Sequence, residues 1–323
     1  MKAIAIESNG GPEVLQFRDV AVPEPKPGEA LVRLEASGVN FIDVYVRTGT
    51  YKAAGFPLIP GQEGAGIVEA LGSGVTSVAV GDRVAYAGAT GSYAEYAAVP
   101  AGMLVSVPEG VSLRDAAAVM LQGMTAHYLA NSTFALGKGH VALVHAGAGG
   151  VGLLLTQLAK LNGATVITTV STPEKAELSK AAGADRVVDY TSDDFAAVAR
   201  EMTGGKGVDV VYDSVGKTTW QSSLEALHPR GMFVLFGASS GAVPPLDLQT
   251  LNAKGSLYAT RPSLGAYIAT REELTWRAGE LFALLRSGSL ALRAEHTYPL
   301  ADAARAHADL ESRKTTGKLL LLM

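Results

Sequence analysis

The chain has 323 residues, a formal net charge of −4, no cysteine, 48% hydrophobic residues and 18% charged residues. That length accommodates two domains of ordinary size, each with its own core. Without cysteine there are no disulfides and no thiolate metal sites, and the near-balanced charge, with no basic run, argues against nucleic acid as the main partner. The opening Met1-Lys2-Ala3-Ile4-Ala5-Ile6-Glu7 is too short an apolar run for a signal peptide. No apolar run reaches the roughly 18 residues of a membrane span, so no membrane partner is expected and the expected location is the cytoplasm.

In chain order, the first domain reads as β. Apolar runs at 30–34, 65–68 and 83–86 are separated by Pro23, Pro25, Pro27, Gly28, Gly72, Gly74 and Gly81. Many short strands between such breakers predict a small antiparallel barrel or sandwich. The pattern turns helical over 115–130. Strands are then predicted at 141–146, 165–170, 186–189, 208–213, 232–236 and 255–258, with helices at 151–161, 173–182, 193–202 and 218–227. Pro173 suits a first helical position behind Ser171 or Thr172 as cap, and Gly163 and Gly183 end helices. Such alternation predicts a parallel, doubly wound α/β sheet that binds ligands at the carboxyl ends of its strands. Beyond about residue 261, helices at 272–287 and 301–311 and a terminal strand at 318–323 predict a tail returning to the first domain. The expected domains are 1–122 with 262–323, and 123–261.

The segment from Gly139 to Gly152 reads as a buried strand entering a glycine turn that opens a helix, with Gly147, Gly149 and Gly152 at G-x-G-x-x-G spacing. Those glycines permit a tight turn, close approach to a pyrophosphate, and close helix-on-strand packing. The unpaired N–H groups of the helix start suit phosphates. A carboxylate that would bind a ribose 2′-hydroxyl is missing from the end of the second strand, where Ser171 and Thr172 stand, with Lys175 one turn later. Two hydroxyls and a cation suit a 2′-phosphate, so NADPH is expected over NADH. The competing reading makes Lys175 a solvated helix residue and Ser171 a cap.

Several segments carry a resemblance in consistent order over essentially the whole chain: Gly10-Gly11-Pro12-Glu13-Val14-Leu15, Val39-Asn40-Phe41-Ile42-Asp43, Arg47-Thr48-Gly49-Thr50-Tyr51 and Gly81-Asp82-Arg83-Val84. They continue through the glycine segment to Gln157 and Lys160, then Val211-Tyr212-Asp213-Ser214-Val215-Gly216, Phe236-Gly237-Ala238-Ser239-Ser240-Gly241 and the run from Lys254 to Ser263. The chain resembles the quinone oxidoreductase (zeta-crystallin) group of the medium-chain dehydrogenases/reductases. That resemblance implies a Rossmann doubly wound sheet plus a GroES-like β-barrel catalytic domain, an active site in the cleft between them, and a homodimer often made by joining nucleotide-domain sheet edges.

Carried over position by position, it implies Asn40, Phe41 and Tyr45 at the nicotinamide, with Tyr128 a weaker match. Gly149, Gly150 and Val151 meet the pyrophosphate; Ser171, Lys175, Tyr190 and Arg313 surround the adenosine and its 2′-phosphate. Ser214, Phe236, Ala238 and Ser239 lie where the cofactor crosses the sheet, followed by Thr260, Arg261 and Pro262, of which Arg261 can instead form an ion pair at the domain boundary.

Metal-dependent members of the superfamily hold zinc through a Cys and the His of a Gly-His-Glu motif. Here Asn40 stands at the Cys position and the motif reads Gly61-Gln62-Glu63-Gly64. With soft ligands absent and no ligand spacing among the six histidines, no metal is expected. His145 reads as a buried strand residue. A hydride acceptor that needs no Lewis acid is one that delocalises the arriving charge, which selects a small quinone. An α,β-unsaturated aldehyde or ketone is the alternative. Tyr45 and Tyr51 are the candidates for a hydrogen-bond donor or a stacking surface, beside Asn40. A third reading, of another class, is a cofactor-binding protein with a structural or RNA-accessory role.

Overall fold

Strand-forming runs broken by glycine and proline do form the first sheet. Its strands from this part of the chain are β3 (Glu29–Val39), which follows a separate two-stranded pair of β1 (Lys2–Ala5) and β2 (Gln16–Asp19), then, after helix α1 (Phe41–Arg47), β4 (Glu63–Leu71), β5 (Arg83–Ala87), β6 (Tyr96–Pro100) and β7 (Val105–Ser106). Helix α2 (Leu113–Tyr128) follows, and then the alternating part: β8 (Val141–Val144), α3 (Gly150–Leu161), β9 (Thr165–Val170), α4 (Pro173–Ala181), β10 (Arg186–Asp189), α5 (Phe195–Met202) and β11 (Val208–Asp213). It ends with α6 (Trp220–Ala226), β12 (Leu227–Leu235), α7 (Leu248–Ala253) and β13 (Tyr258–Thr260). The tail supplies α8 (Leu264–Tyr267), α9 (Arg271–Arg286), β14 (His296–Pro299), α10 (Ala303–Glu311) and β15 (Leu319–Leu322). This computed structural model describes all residues from Met1 to Met323.

Two compact units result, Met1–Met124 with Tyr267–Met323, and Thr125–Ala266. In the first, the sheet order is β14-β15-β3-β4-β5-β7, with β6 also paired to β3. The tail returns as expected: β15 lies antiparallel to β3, with Leu319 opposite Val39 and Leu320 opposite Gly38. Val32, Leu34, Val68, Val84, Tyr86 and Val99 fill one core cluster. Ile4, Ile6, Val39, Tyr93, Leu319 and Leu321 fill another. Burying each such large aliphatic side chain contributes roughly 1.5–3 kcal/mol.

In the second unit six strands run parallel in the order β10-β9-β8-β11-β12-β13. Leu143, Ile167, Val188, Val211 and Phe233 pack its core. The strand expected at 255–258 forms instead at Tyr258–Thr260, because Gly255 and Ser256 take left-handed φ values of 103° and 58° and hold a turn there. The strand expected at 232–236 is the second half of a longer one beginning at Leu227. Helix α7 was not expected, being six residues with no buried face.

Candidate active site

At the carboxyl end of β8, His145 N–H donates to the Tyr212 carbonyl at 3.0 Å, Ala146 turns left-handed at φ 53°, and Gly147 N–H donates to the Thr169 carbonyl at 2.9 Å. A Cβ on Gly147 would stand 2.6 Å from Thr168 Cβ, and one on Gly152 would overlap the Ala146 carbonyl. Both glycines are therefore required by the close approach of α3 to β8 and β9. Gly149 caps α3 without a side-chain hydrogen bond, leaving the first amides of a twelve-residue helix, among them Gly150 and Val151, for an anion. This cradle, closed to any added carbon, fits a dinucleotide pyrophosphate.

Beside it, Lys175 Nζ reaches Ser171 Oγ at 3.5 Å. Thr172 is the cap, its hydroxyl accepting from Lys175 N–H at 3.3 Å, so Ser171 is not used up as one. Tyr190 N–H donates to the Val170 carbonyl at 3.1 Å, and its side chain is exposed. The structure thus gathers Ser171, Lys175 and Tyr190 at one sheet corner. The nearby Glu174 carboxylate turns to its own backbone N–H and to the Thr172 hydroxyl, which hold it below the usual range.

Further along the same edge, Phe236 N–H donates to the Asp213 carbonyl at 2.9 Å and Ser239 N–H to the Ser214 carbonyl at 3.1 Å, which brings the ends of β11 and β12 together with Ala238 between. Thr260 pairs with Val234, and Arg261 Nη1 donates to the Pro262 carbonyl at 3.3 Å. Tyr128, the last residue of α2, is buried in this unit. Arg313 belongs to the other unit, at φ 60° just beyond α10. His145 is buried as expected, with Nδ1 at 2.9 Å from Thr169 Oγ1 and Nε2 at 3.0 Å from Ser223 Oγ. Desolvation lowers its pKa and keeps it neutral. A groove lined by Gly139, Lys206, Asp209, His228 and Arg230 lies at the amino ends of the strands, away from the phosphate cradle.

In the barrel unit, Asn40 is the N-cap of α1, directly after β3. Asp43 reaches back to accept from Asn40 N–H at 2.9 Å. The Asn40 side chain is engaged elsewhere. Its Oδ1 accepts from Lys318 Nζ at 2.8 Å and from Gln122 Nε2 at 3.1 Å, and its Nδ2 donates to Glu63 Oε1 at 2.7 Å. Lys318 also pairs with Glu63, both fully buried, and Glu63 Oε2 accepts from Leu121 N–H at 2.6 Å. Burial pushes the Lys318 ammonium down to about 7, opposed by Asp43, and pushes the Asp43 carboxyl up to about 7. Phe41, Tyr45 and Tyr51 form an aromatic run: centroids are 6.2 Å apart for Phe41 and Tyr45, and 5.2 Å at 61° for Tyr45 and Tyr51.

Sequence reasoning named Asn40, Tyr45 and Tyr51, of which Asn40 caps α1 and Tyr45 lies on it, and did not name Glu63, Gln122 or Lys318 as site residues. A lysine opening an otherwise apolar terminal strand was the available signal; its partner lies 255 positions away. As a consequence of these contacts, Asn40 and Glu63 are bonded to an ammonium, and no three His, Cys, Asp or Glu side chains converge on a metal-sized site.

Residues 26–109 match the family described as alcohol dehydrogenase GroES-like domain, and residues 150–276 the family described as zinc-binding dehydrogenase. A quinone oxidoreductase of Pseudomonas aeruginosa is 49% identical over 322 residues, covering 99% of each chain. A 2-haloacrylate reductase of a Burkholderia species is 42% identical over 327 residues, covering 99% of this chain and 98% of its own. The crystal structure of Escherichia coli quinone oxidoreductase complexed with NADPH superposes with a TM-score of 0.98 at 46% identity over 100% of both chains. Two domain matches in the expected order and near-identical folds at this level of identity leave one assignment: the chain belongs to the quinone oxidoreductase group of the medium-chain dehydrogenases/reductases.

Proposed function

We propose that this protein is an NADPH-dependent reductase of small quinones. The observation that carries the reading is the Ser171–Lys175 pair beside the glycine-lined start of α3: a hydroxyl and a cation where a 2′-hydroxyl would call for a carboxylate. When bound, NADPH supplies a hydride. Gly149, Gly150 and Val151 hold the pyrophosphate, and Ser171, Lys175 and Tyr190 hold the phosphorylated adenosine. Ser214, Phe236, Ala238, Ser239, Thr260, Arg261 and Pro262 follow the cofactor along the strand ends. Asn40, Phe41, Tyr45 and Tyr128 serve the nicotinamide end.

A quinone that accepts a hydride carries the new charge on a conjugated oxygen and takes one proton to become the quinol. The protein therefore needs to supply a flat apolar surface and one well-placed donor rather than a strong electrophile. The Tyr45–Tyr51 pair offers both. The 2-haloacrylate reductase relative favours a second reading, in which the acceptor is an activated alkene. The protein acts as a homodimer joined along β13, which ends the parallel sheet and exposes Tyr258. The deciding experiment is oxidation of NADPH and of NADH by 1,4-naphthoquinone and by a 2-alkenal. Fast turnover with NADPH and the quinone is expected; equal rates with NADH, or turnover of the alkenal alone, overturn the reading.

A further inference from the structure

The side-chain amide of Asn40 has two edges of nearly equal shape, one accepting and one donating. Turned one way it offers an N–H to an oxygen that gains negative charge; turned the other way it opposes that oxygen with its own. What decides between them is visible in the contacts. Gln122 donates to Asn40 Oδ1, yet Gln122 Oε1 is buried without a partner. Gln122 therefore has no second anchor and follows Asn40 rather than directing it. The two groups that cannot reverse their roles are the Lys318 ammonium, which only donates, and the Glu63 carboxylate, which accepts. Room for them is reserved at Gly38, where a Cβ would overlap Glu63 Oε1 and stand 2.5 Å from Lys318 Nζ. The second Asn40 N–H has only the Gly38 carbonyl at 3.4 Å, the outer limit of a hydrogen bond, and so retains donor capacity.

Resting on the reading of Asn40 as a group at the hydride-accepting end of the site, we propose that Lys318 is a positioning residue for the reaction: its buried ammonium, paired with Glu63, locks the Asn40 amide in the orientation that leaves an N–H for the charge developing on the substrate. The charge on Oδ1 also polarises the amide and strengthens that N–H as a donor. The charged groups facing Lys318 are Glu63 at the start of β4 and Asp43 on α1; Gln122 on α2 and Asn40 are neutral.

The test uses Lys318→Arg, Lys318→Met and the double variant Lys318→Met/Glu63→Gln, which does not leave the Glu63 carboxylate buried without its ammonium partner. In the folded double variant, kcat with NADPH and naphthoquinone is expected to fall by about 100-fold, the cost of a displaced positioning group. KM for NADPH should stay within about threefold, as for an interaction used only in the transition state. The unmodified protein should lose kcat as pH rises and Lys318 gives up its proton. Lys318→Arg, which stays charged, should restore most of the rate and remove that alkaline decline. If the double variant does not fold, the pH profile of Lys318→Arg decides: an unchanged alkaline decline overturns the proposal. So does a double variant with wild-type kcat. Absence of any NADPH–quinone turnover in the unmodified protein overturns the functional reading as well, which separates the two failures.

Discussion

The guanidinium of Arg47 donates to Nδ1 of His307 across 3.2 Å, with both residues buried. Arginine has no acceptor, so His307 Nδ1 must be bare and Nε2 carries the proton, 3.0 Å from Tyr93 Oη. Tyr93 in turn donates to Asp43 Oδ2 at 3.1 Å, and Asp43 holds the Asn40 backbone. A one-directional chain of donors thus runs from Arg47, itself paired with Glu311, to the start of α1.

Burial and the Arg47 charge push His307 down from its ordinary value of 6.5 to about 3. At His307 the folded state therefore binds fewer protons than the unfolded state between those values, and the contribution of His307 to stability falls as pH drops below 6.5, while Asp43, pushed up to about 7, contributes in the opposite direction over the same range. At 1.36 kcal/mol per unit, the His307 part of that change is a loss of about 2 kcal/mol by pH 5. Urea denaturation at pH 7.5 and pH 5 measures it. His307→Gln should remove that part, so the variant's stability at pH 5 relative to pH 7.5 should exceed the unmodified protein's by about 2 kcal/mol; equal pH dependence in both proteins contradicts the assignment.

If Lys175 holds the 2′-phosphate, Lys175→Ala removes a charge-assisted contact worth about 1.5–3 kcal/mol. KM for NADPH is expected to rise by about 10-fold or more while KM for NADH stays put. Steady-state kinetics with both cofactors reads this directly. A parallel rise in both constants would mean that Lys175 supports the helix rather than the phosphate.

Gly152→Ala puts a methyl group into the Ala146 carbonyl. The loop must move, at a cost of about 1–3 kcal/mol of stability, and the α3 amides move with it. Quenching of intrinsic fluorescence on NADPH titration should show weakened binding, and the melting temperature should fall. Wild-type NADPH affinity in this variant would remove α3 as the phosphate site.

Tyr45 lies on α1, five positions after Asn40, while Tyr51 is 41% exposed. Tyr45→Phe keeps the ring and deletes the hydroxyl. If that hydroxyl meets the forming oxyanion, kcat falls by about 100-fold with KM for the quinone little changed. Tyr51→Phe should leave kcat nearly intact. The reverse ranking, measured with naphthoquinone, transfers the role to Tyr51.

The nucleotide half was legible because its signals are local. The strand, the glycine turn and the capped helix occupy consecutive residues, and each reports backbone geometry that depends on neighbours within a few positions. Ser171 and Lys175 lie four positions apart across the capped start of α4, so their meeting depends only on the local turn into that helix. The turn at Gly255 and Ser256 was misjudged because a short apolar run after a glycine reads the same whether the strand begins early or late.

By itself the sequence determined the alternation of strands and helices in the second unit and the glycine turn that opens α3, and it pointed to a phosphorylated cofactor, since each signal lies in adjacent residues. Only the tertiary structure decided which way Asn40 faces. Lys318, Glu63 and Asn40 meet because β15 pairs with β3 and β4 lies on the other side of β3. Periodicity cannot report a pairing of strands so distant along the chain. Burial then joins three ordinary polar residues into a single hydrogen-bonded unit, because away from water they must satisfy one another, with Gln122 and the Leu121 N–H as the remaining partners.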